Sequence, residues 1–132
     1  MRRLFNKIRK NSRSQEDGIF FEKITKILGF EPIELRYYQK AFTHRSTNKV
    51  DEKGNPFNYE RLEFLGDAVL ELVATDFLFR NYDKPEGILT AWRSALVRTE
   101  SIGAAGERLG YEKLIRMSRG EKQGSDRARQ QI

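Results

Sequence analysis

The sequence contains no cysteine and only one histidine among its 132 residues. The absence of cysteine excludes disulfides, thiolate metal sites and a cysteine nucleophile from this chain. A single histidine excludes metal sites built on paired histidines. No run of residues approaches the roughly 18 to 20 apolar residues that cross a bilayer, and none resembles the core of a signal peptide. Carboxylates are therefore the only plentiful metal ligands, and we expect no membrane partner and a cytoplasmic location.

The positive charge is concentrated at the N-terminus. The chain has 25 basic and 19 acidic side chains, for a net charge of +6. Residues 1–14 hold the whole excess and no acid, because the remaining 19 basic and 19 acidic side chains cancel. The basic side chains of this arm are Arg2, Arg3, Lys7, Arg9, Lys10 and Arg13. Such an arm can bind nucleic-acid phosphates by releasing counterions.

Two other interpretations of the arm stay open. It can be a solvated tail, or a helix on a membrane surface, because Leu4, Phe5 and Ile8 alternate with the charges. A length of 132 residues is typical of one compact domain. The sequence therefore predicts a basic arm over residues 1–17 and a single folded domain over residues 18–132.

Apolar residues spaced three and four apart predict helices almost throughout this domain. The expected helices span residues 19–28, 33–43, 59–81 and 88–109, with loosening of the last around Gly103 and Gly106. Loops are expected over 46–56 and 118–125, with a new helix beginning at Ser125 or Asp126. No strand of consequence is expected, so the predicted fold class is all-α.

The predicted helix over residues 59–81 has an apolar stripe and a glycine in its middle. Five apolar side chains share an arc of about 100° and are expected to face the core: Leu62, Leu65, Val69, Leu72 and Val73. Asn58 is a favoured residue for capping the N-terminus of this helix. Gly66 costs about 1 kcal/mol relative to alanine in a helix. This cost favours close approach of another helix or of a second subunit over a tolerated flaw in the helix.

Four acids follow another face of the same helix. Glu60, Glu63, Asp67 and Glu71 share an arc of about 80°, and no Lys or Arg of the helix lies within it. Acids one turn apart repel each other, so the stripe costs little only when it is solvated or neutralised by a cation. Hard carboxylate oxygens suit Mg²⁺, whereas a di-iron bundle needs Glu-x-x-His pairs on two helices. A solvated face and a magnesium site for phosphodiester hydrolysis both stay open.

Residues 58–70, with the sequence NYERLEFLGDAVL, closely resemble the signature of the ribonuclease III family. The segments AFTHRS, EGILT with Arg93 and Leu96-Val97, and MSRGE resemble further motifs of the family in the same order. The resemblance covers about residues 20–132. It implies an all-α helical bundle of the ribonuclease III endonuclease type. It also implies a homodimer that cleaves double-stranded RNA with Mg²⁺, with Mn²⁺ as an alternative, in rRNA and mRNA processing, without a small-molecule cofactor.

The resemblance also assigns roles to individual residues. Glu63 matches a metal ligand, and Asp67 matches a metal ligand that is also the catalytic carboxylate. Glu60 and Glu86 match accessory acids near the cleavage valley and the dimer contact. Phe64 matches the aromatic side chain that packs into the partner subunit, and the close approach predicted at Gly66 adds this residue to the expected dimer contact.

Three other residues receive weaker assignments. Glu71 lies outside the catalytic set of the family, so its place on the acidic stripe can be a coincidence. His44 matches a position that is not a metal ligand, and we expect a structural hydrogen bond there. Trp92 is expected to lie in the core.

The sequence departs from the family pattern after residue 121. The family completes its metal site with a second acidic helix, which carries an Asp and a Glu three residues apart, and no acid follows Asp126. The double-stranded RNA-binding domain usual in the family is also absent. We therefore expect an endonuclease domain that is incomplete at its C-terminus, inactive or weakly active alone, with exposed apolar surface. The alternative is a non-catalytic dimeric helical module that binds structured RNA or a protein partner.

Overall fold

The computed structural model of the protein describes residues 14–130, with side chains up to residue 124. The basic side chains of the arm, from Arg2 to Arg13, lie outside the described residues. The α-helices of the described part are α1 (Gln15–Leu28), α2 (Leu35–Ala41), α3 (Glu60–Asn81), α4 (Glu86–Val97), α5 (Thr99–Leu109) and α6 (Arg119–Gln130). Residues 14–130 contain no strand beyond two isolated β-bridges. The predicted all-α class is confirmed.

The chain divides into two compact units, residues 1–40 and residues 41–132. In the first unit, α1 begins where Ser14 Oγ accepts a hydrogen bond from the Asp17 amide at 3.2 Å. This cap explains why α1 starts four residues before the predicted position. The helix ends at Gly29, whose φ of 76° is a left-handed conformation that favours glycine. Its buried side chains are Phe20, Phe21 and Ile24.

The second unit begins with a backbone pairing that ends α2 early. The Arg116 amide donates to the Phe42 carbonyl at 2.8 Å, and the His44 amide donates to the Arg116 carbonyl at 2.8 Å. These bonds occupy backbone groups that a longer helix would need, so α2 ends at Ala41 rather than near residue 43. The bridge between Thr43 and Arg116 is parallel, and Thr43 is fully buried.

The loop predicted over residues 46–56 is present over residues 48–59, after a short 3-10 turn at Arg45–Thr47 that includes its first two predicted residues. The amides of Asn55 and Lys53 each donate to Asp51 Oδ1 at 2.9 Å. These bonds, led by the one from Asn55, hold the pKa of Asp51 below its usual range. The loop closes where the Phe57 amide donates to the Lys49 carbonyl at 2.8 Å, which leaves the Phe57 ring buried.

The core of the second unit is small, and α3 contributes buried side chains to it only from its C-terminal half. Its buried hydrophobic side chains are Phe57, Ala74, Leu78 and Leu114. The prediction that the apolar stripe of α3 faces the core is wrong. Leu65, Val69, Leu72 and Val73 have exposed fractions between 52% and 67%. The predicted exposure of apolar surface is confirmed, because α4 packs on α3 near Thr75 and Leu78 and not along the stripe.

The prediction of one helix over residues 88–109 is also wrong, because an extended residue, Arg98, interrupts the helix. Arg98 is extended, with φ −67° and ψ 153°, and separates α4 from α5. The Ser101 hydroxyl donates to the Ala95 carbonyl at 2.8 Å and so satisfies a carbonyl at the end of α4. The expected loosening at Gly103 and Gly106 does not occur, since both lie inside α5.

Helix α6 begins at Arg119, six or seven residues before the predicted cap at Ser125 or Asp126. Ser118 Oγ accepts from the Glu121 amide at 3.4 Å, and the Ser118 carbonyl accepts from the Lys122 amide at 3.0 Å. Ser118 and Glu121 have the spacing of a capping box, which was the available signal. Gly120 and Gly124 lower helix propensity and made residues 118–125 resemble a loop. Within the described chain, no helix combines the length and hydropathy needed to cross a bilayer.

Leu78→Ala is expected to lower the free energy of unfolding by about 2 to 4 kcal/mol, because Leu78 is only 4% exposed. Leu72→Ala is the matched control on the same helix. It is expected to cost less than about 1 kcal/mol, because Leu72 is 67% exposed. Urea unfolding followed by circular dichroism measures both values. Equal losses for the two variants would contradict the position of the core.

Candidate active site

The N-terminal half of α3 holds the acids that the sequence singles out. Asn58 Oδ1 accepts from the Glu60 amide at 3.1 Å, which confirms the predicted capping role of Asn58. The Tyr59 carbonyl accepts from the Glu63 amide at 2.8 Å and begins the regular helix. Acids in the first turn are stabilised by the positive end of the helix dipole. The helix therefore presents Glu60 and Glu63 from a capped and regular first turn.

The two outer acids of the stripe have arginine partners from other parts of the chain. Arg45 Nη1 lies 3.7 Å from Glu60 Oε1, and Arg93 Nε lies 3.2 Å from Glu71 Oε2. Arg45 belongs to the 3-10 turn before the loop, and Arg93 belongs to α4. No basic side chain of α3 itself lies within the stripe, but arginines from two other elements form ion pairs with its outer acids.

Glu63 and Asp67 are different from the outer acids. Both are exposed, and neither side chain has an ion pair or hydrogen bond with a described residue. Four positions separate them in sequence, so they lie about one turn, or about 6 Å of rise, apart on the same helix. They are the two residues predicted to bind metal.

The donor set suits a hard cation but is partial. Among the described residues, no three possible ligands lie close enough together to hold a metal ion. Mg²⁺ is often bound by one or two carboxylates together with waters and phosphate oxygens. Glu63 and Asp67 can supply the two carboxylates of such a site. Any further protein ligand must come from a residue that does not lie beside them in the described part of the chain.

Glu86 lies near the opposite end of α3 from Glu63 and Asp67. It begins α4, where Thr90 Oγ1 donates to Glu86 Oε1 at 2.7 Å. Glu86 lines an open pocket of about 450 Å³ beside Leu78 of α3. Leu78 is eleven residues after Asp67, which is about 16 Å along the helix axis. The structure therefore brings Glu60 near the predicted metal ligands but does not bring Glu86 there.

His44 has a structural role, as predicted. Its Nδ1 accepts from the Ser46 amide at 3.2 Å and lies 2.8 Å from Ser46 Oγ. Ser46 Oγ also accepts from the Ser118 amide at 3.0 Å, so it connects the loop to the start of α6. The His44 ring stacks on Tyr59 with centroids 5.6 Å apart. Sequence reasoning missed Ser46 and Ser118, although both lie in segments that resemble family motifs.

The predicted dimer contact is an exposed surface of α3. Phe64 is 86% exposed. A Cβ atom added at Gly66 would meet no atom of the described residues within 4 Å, so no other described helix closely approaches this glycine. Among the described residues no helix explains Gly66, which leaves close approach of a second subunit or a tolerated flaw in the helix. Trp92 is not in the core as predicted, because it is 38% exposed with its ring edge against Tyr82.

Residues 35–132 match the family described as Ribonuclease-III-like. The chain is similar to ribonuclease 3 of Flavobacterium psychrophilum, with 54% identity over 104 residues that cover 78% of this chain and 42% of that protein. It is also similar to ribonuclease 3 of Zunongwangia profunda, with 45% identity over 107 residues that cover 80% of this chain and 44% of that protein. The chain thus spans less than half the length of these curated relatives.

Solved structures agree with this assignment. A nuclease domain of ribonuclease III from Campylobacter jejuni, described for flexibility in the region involved in dimer formation, has a TM-score of 0.69 and 34% identity. That alignment covers 80% of this chain and 71% of the other. A second structure of the same nuclease domain has a TM-score of 0.65 and 32% identity, covering 80% and 68%. Sequence signature, family match and helical fold agree, and the chain belongs to the ribonuclease III family.

Proposed function

We propose that the chain is part of an endonuclease that hydrolyses phosphodiesters of double-stranded RNA with Mg²⁺, or with Mn²⁺ in its place, and that acts in rRNA and mRNA processing in the cytoplasm. The observation that carries the proposal is the exposed, unpaired couple of Glu63 and Asp67 inside the family signature. The basic arm over 1–17 and the nuclease domain from residue 18 onward are parts of the same proposal.

In this proposal, Glu63 and Asp67 hold the metal ion, and Asp67 is the catalytic carboxylate. When bound, Mg²⁺ supplies Lewis acidity toward the phosphodiester and lowers the pKa of a coordinated water. The chain contributes a capped, regular helix that fixes the spacing of the two carboxylates. It also leaves their face open, so that an RNA backbone can approach.

The accessory acids have different support. Glu60 is one turn from Glu63 on the same face, which fits an accessory role beside the metal ion. Glu86 lines a pocket with Leu78, which is about 16 Å from Asp67 along α3. We therefore propose for Glu86 an accessory role apart from the metal ligands of its own chain. Phe64 and Gly66 form the proposed dimer contact on α3, since no described residue covers either one.

The test is cleavage of a long RNA duplex in Mg²⁺ and in EDTA. The chain alone is expected to cleave little or not at all, because its described residues gather only two carboxylates. A chimera supplies the remainder of the protein: this chain replaces the matching segment of the Flavobacterium psychrophilum relative. We expect the chimera to cleave the duplex in Mg²⁺ and not in EDTA. A folded chimera that leaves the duplex intact in Mg²⁺ would contradict the proposal. Robust cleavage by the chain alone would contradict the expectation that the isolated chain has little or no activity.

The basic arm gives a separate prediction about RNA binding. Deleting residues 1–14 is expected to reduce the slope of log K against log salt concentration by as much as about 5, because six phosphate contacts would be lost. A native gel shift on an RNA duplex at several salt concentrations measures the slope. Thermal unfolding of the deletion variant is the control for folding. An unchanged slope would favour the interpretation of the arm as a solvated tail.

A further inference from the structure

The acidic stripe of α3 offers a cation more than one position. Glu60 and Glu63, Glu63 and Asp67, and Asp67 and Glu71 are three couples of acids about one turn apart, spread over about 16 Å of helix. Each couple can present two carboxylates to one ion. A stripe of four equivalent acids would therefore spread a divalent cation over several positions.

The structure makes the four acids inequivalent through arginines at both ends. Arg45 approaches Glu60 from the 3-10 turn, and Arg93 approaches Glu71 from α4, so each outer acid has a positive neighbour. Glu63 and Asp67 have no such neighbour among the described side chains. The negative potential of the stripe is therefore greatest at its middle.

Arg93 is held more firmly than an isolated surface ion pair. Its Nη1 donates to Thr75 Oγ1 at 3.0 Å while its Nε pairs with Glu71 at 3.2 Å. Thr75 Oγ1 in turn donates to the Glu71 carbonyl at 2.7 Å. The Arg93 side chain is 36% exposed, whereas that of Arg45 is 68% exposed. Arg93 is thus the more ordered of the two charges.

Exposed ion pairs contribute little to stability, so fold stabilisation is a weak reason for two arginines here. Their charge acts on the stripe regardless of that contribution. We propose that Arg45 and Arg93 are positioning residues that confine a divalent cation to Glu63 and Asp67, an assignment that rests on the metal-dependent function proposed above. They act by occupying the outer carboxylates, so that only the central couple is available.

The test is paramagnetic broadening of backbone amide signals by Mn²⁺ in the full chain, observed by NMR. In the unmodified chain, broadening is expected to be centred on residues 63–67. In Arg93→Gln it is expected to extend to residues 71–75, and the apparent Kd for Mn²⁺ is expected to fall about twofold to threefold as one repulsive charge is lost. Arg45→Gln is expected to extend the broadening toward residue 60.

Two further variants separate charge from packing. Arg93→Lys retains the charge and is expected to keep the pattern of the unmodified chain. Arg80→Gln removes an arginine from α3 itself, where Arg80 pairs with Asp76 at 2.7 Å outside the stripe. It is expected to leave both the pattern and the Kd unchanged.

The possible results distinguish the arginine assignment from the proposed function. Broadening centred on residues 63–67 in the unmodified chain and unchanged in both Arg93→Gln and Arg45→Gln would overturn the positioning role alone. Broadening absent from α3 in the unmodified chain would overturn the metal site of the proposed function and the positioning role with it. If Arg93→Gln fails to fold, Arg45→Gln tests the same assignment from the other end of the stripe.

Discussion

Asp67→Asn is expected to reduce Mg²⁺-dependent cleavage of an RNA duplex at least about 100-fold in the chimera that carries this chain. The substitution keeps the size of the side chain and removes one of two carboxylates on the open face of α3. Mutating residues that merely orient metal ligands already costs about 10- to 100-fold in affinity or activity, so losing a ligand is expected to cost more. Initial rates of cleavage at saturating Mg²⁺ measure the effect.

Asp76→Asn is the matched control for this experiment. It makes the same substitution on the same helix, but Asp76 pairs with Arg80 at 2.7 Å and lies outside the acidic stripe. We expect its cleavage rate to stay within about threefold of the unmodified chimera, since an exposed ion pair contributes little. A rate for Asp67→Asn within tenfold of the unmodified chimera would remove Asp67 from the catalytic site.

The helix that carries the candidate site was predictable because its signals are local. Asn58 caps the first turn, and the alternation of acids and apolar residues continues for six turns without proline. The arginine partners of Glu60 and Glu71 were not predictable from this pattern. A helical wheel places only residues of one helix, whereas Arg45 and Arg93 reach the stripe from elements that are distant in sequence.

The buried face of α3 was predicted wrongly for a physical reason. Apolar residues occur around most of its circumference, with Phe64, Leu70 and Phe77 on both sides of the acids. Periodicity identifies such a helix but cannot decide which apolar arc another helix covers. Contact with other elements decides it; α4 packs on α3, and the buried side chains of α3 are Ala74 and Leu78 in its C-terminal half. The break at Arg98 was missed for a similar reason, because the bond from Ser101 to Ala95 spans six residues.

Phe64→Ala is expected to weaken the proposed homodimer about 1,000-fold. Phe64 lies between acids on α3 and is 86% exposed in the single chain. Exposure of an apolar ring to water is unfavourable, so burial against a second subunit would stabilise the dimer. In a two-fold dimer each substitution is present twice. Truncating a central aromatic contact typically costs about 2 kcal/mol, so two such losses amount to about 4 kcal/mol, or about three orders of magnitude in Kd. Sedimentation equilibrium over a range of protein concentrations measures this change.

Phe79→Ala supplies a control of the same residue type on the same helix. Phe79 is 77% exposed, nearly as much as Phe64, but it lies fifteen residues further along α3, beside the pocket that contains Glu86. If exposure of a large aromatic were enough to drive association, both variants would weaken the dimer equally. Because the resemblance to the family assigns the partner contact to Phe64 and not to Phe79, we expect the effect to be concentrated at Phe64. Equal losses in the two variants would favour non-specific association through the exposed apolar surface, and a chain that stays monomeric at all concentrations would exclude the homodimer.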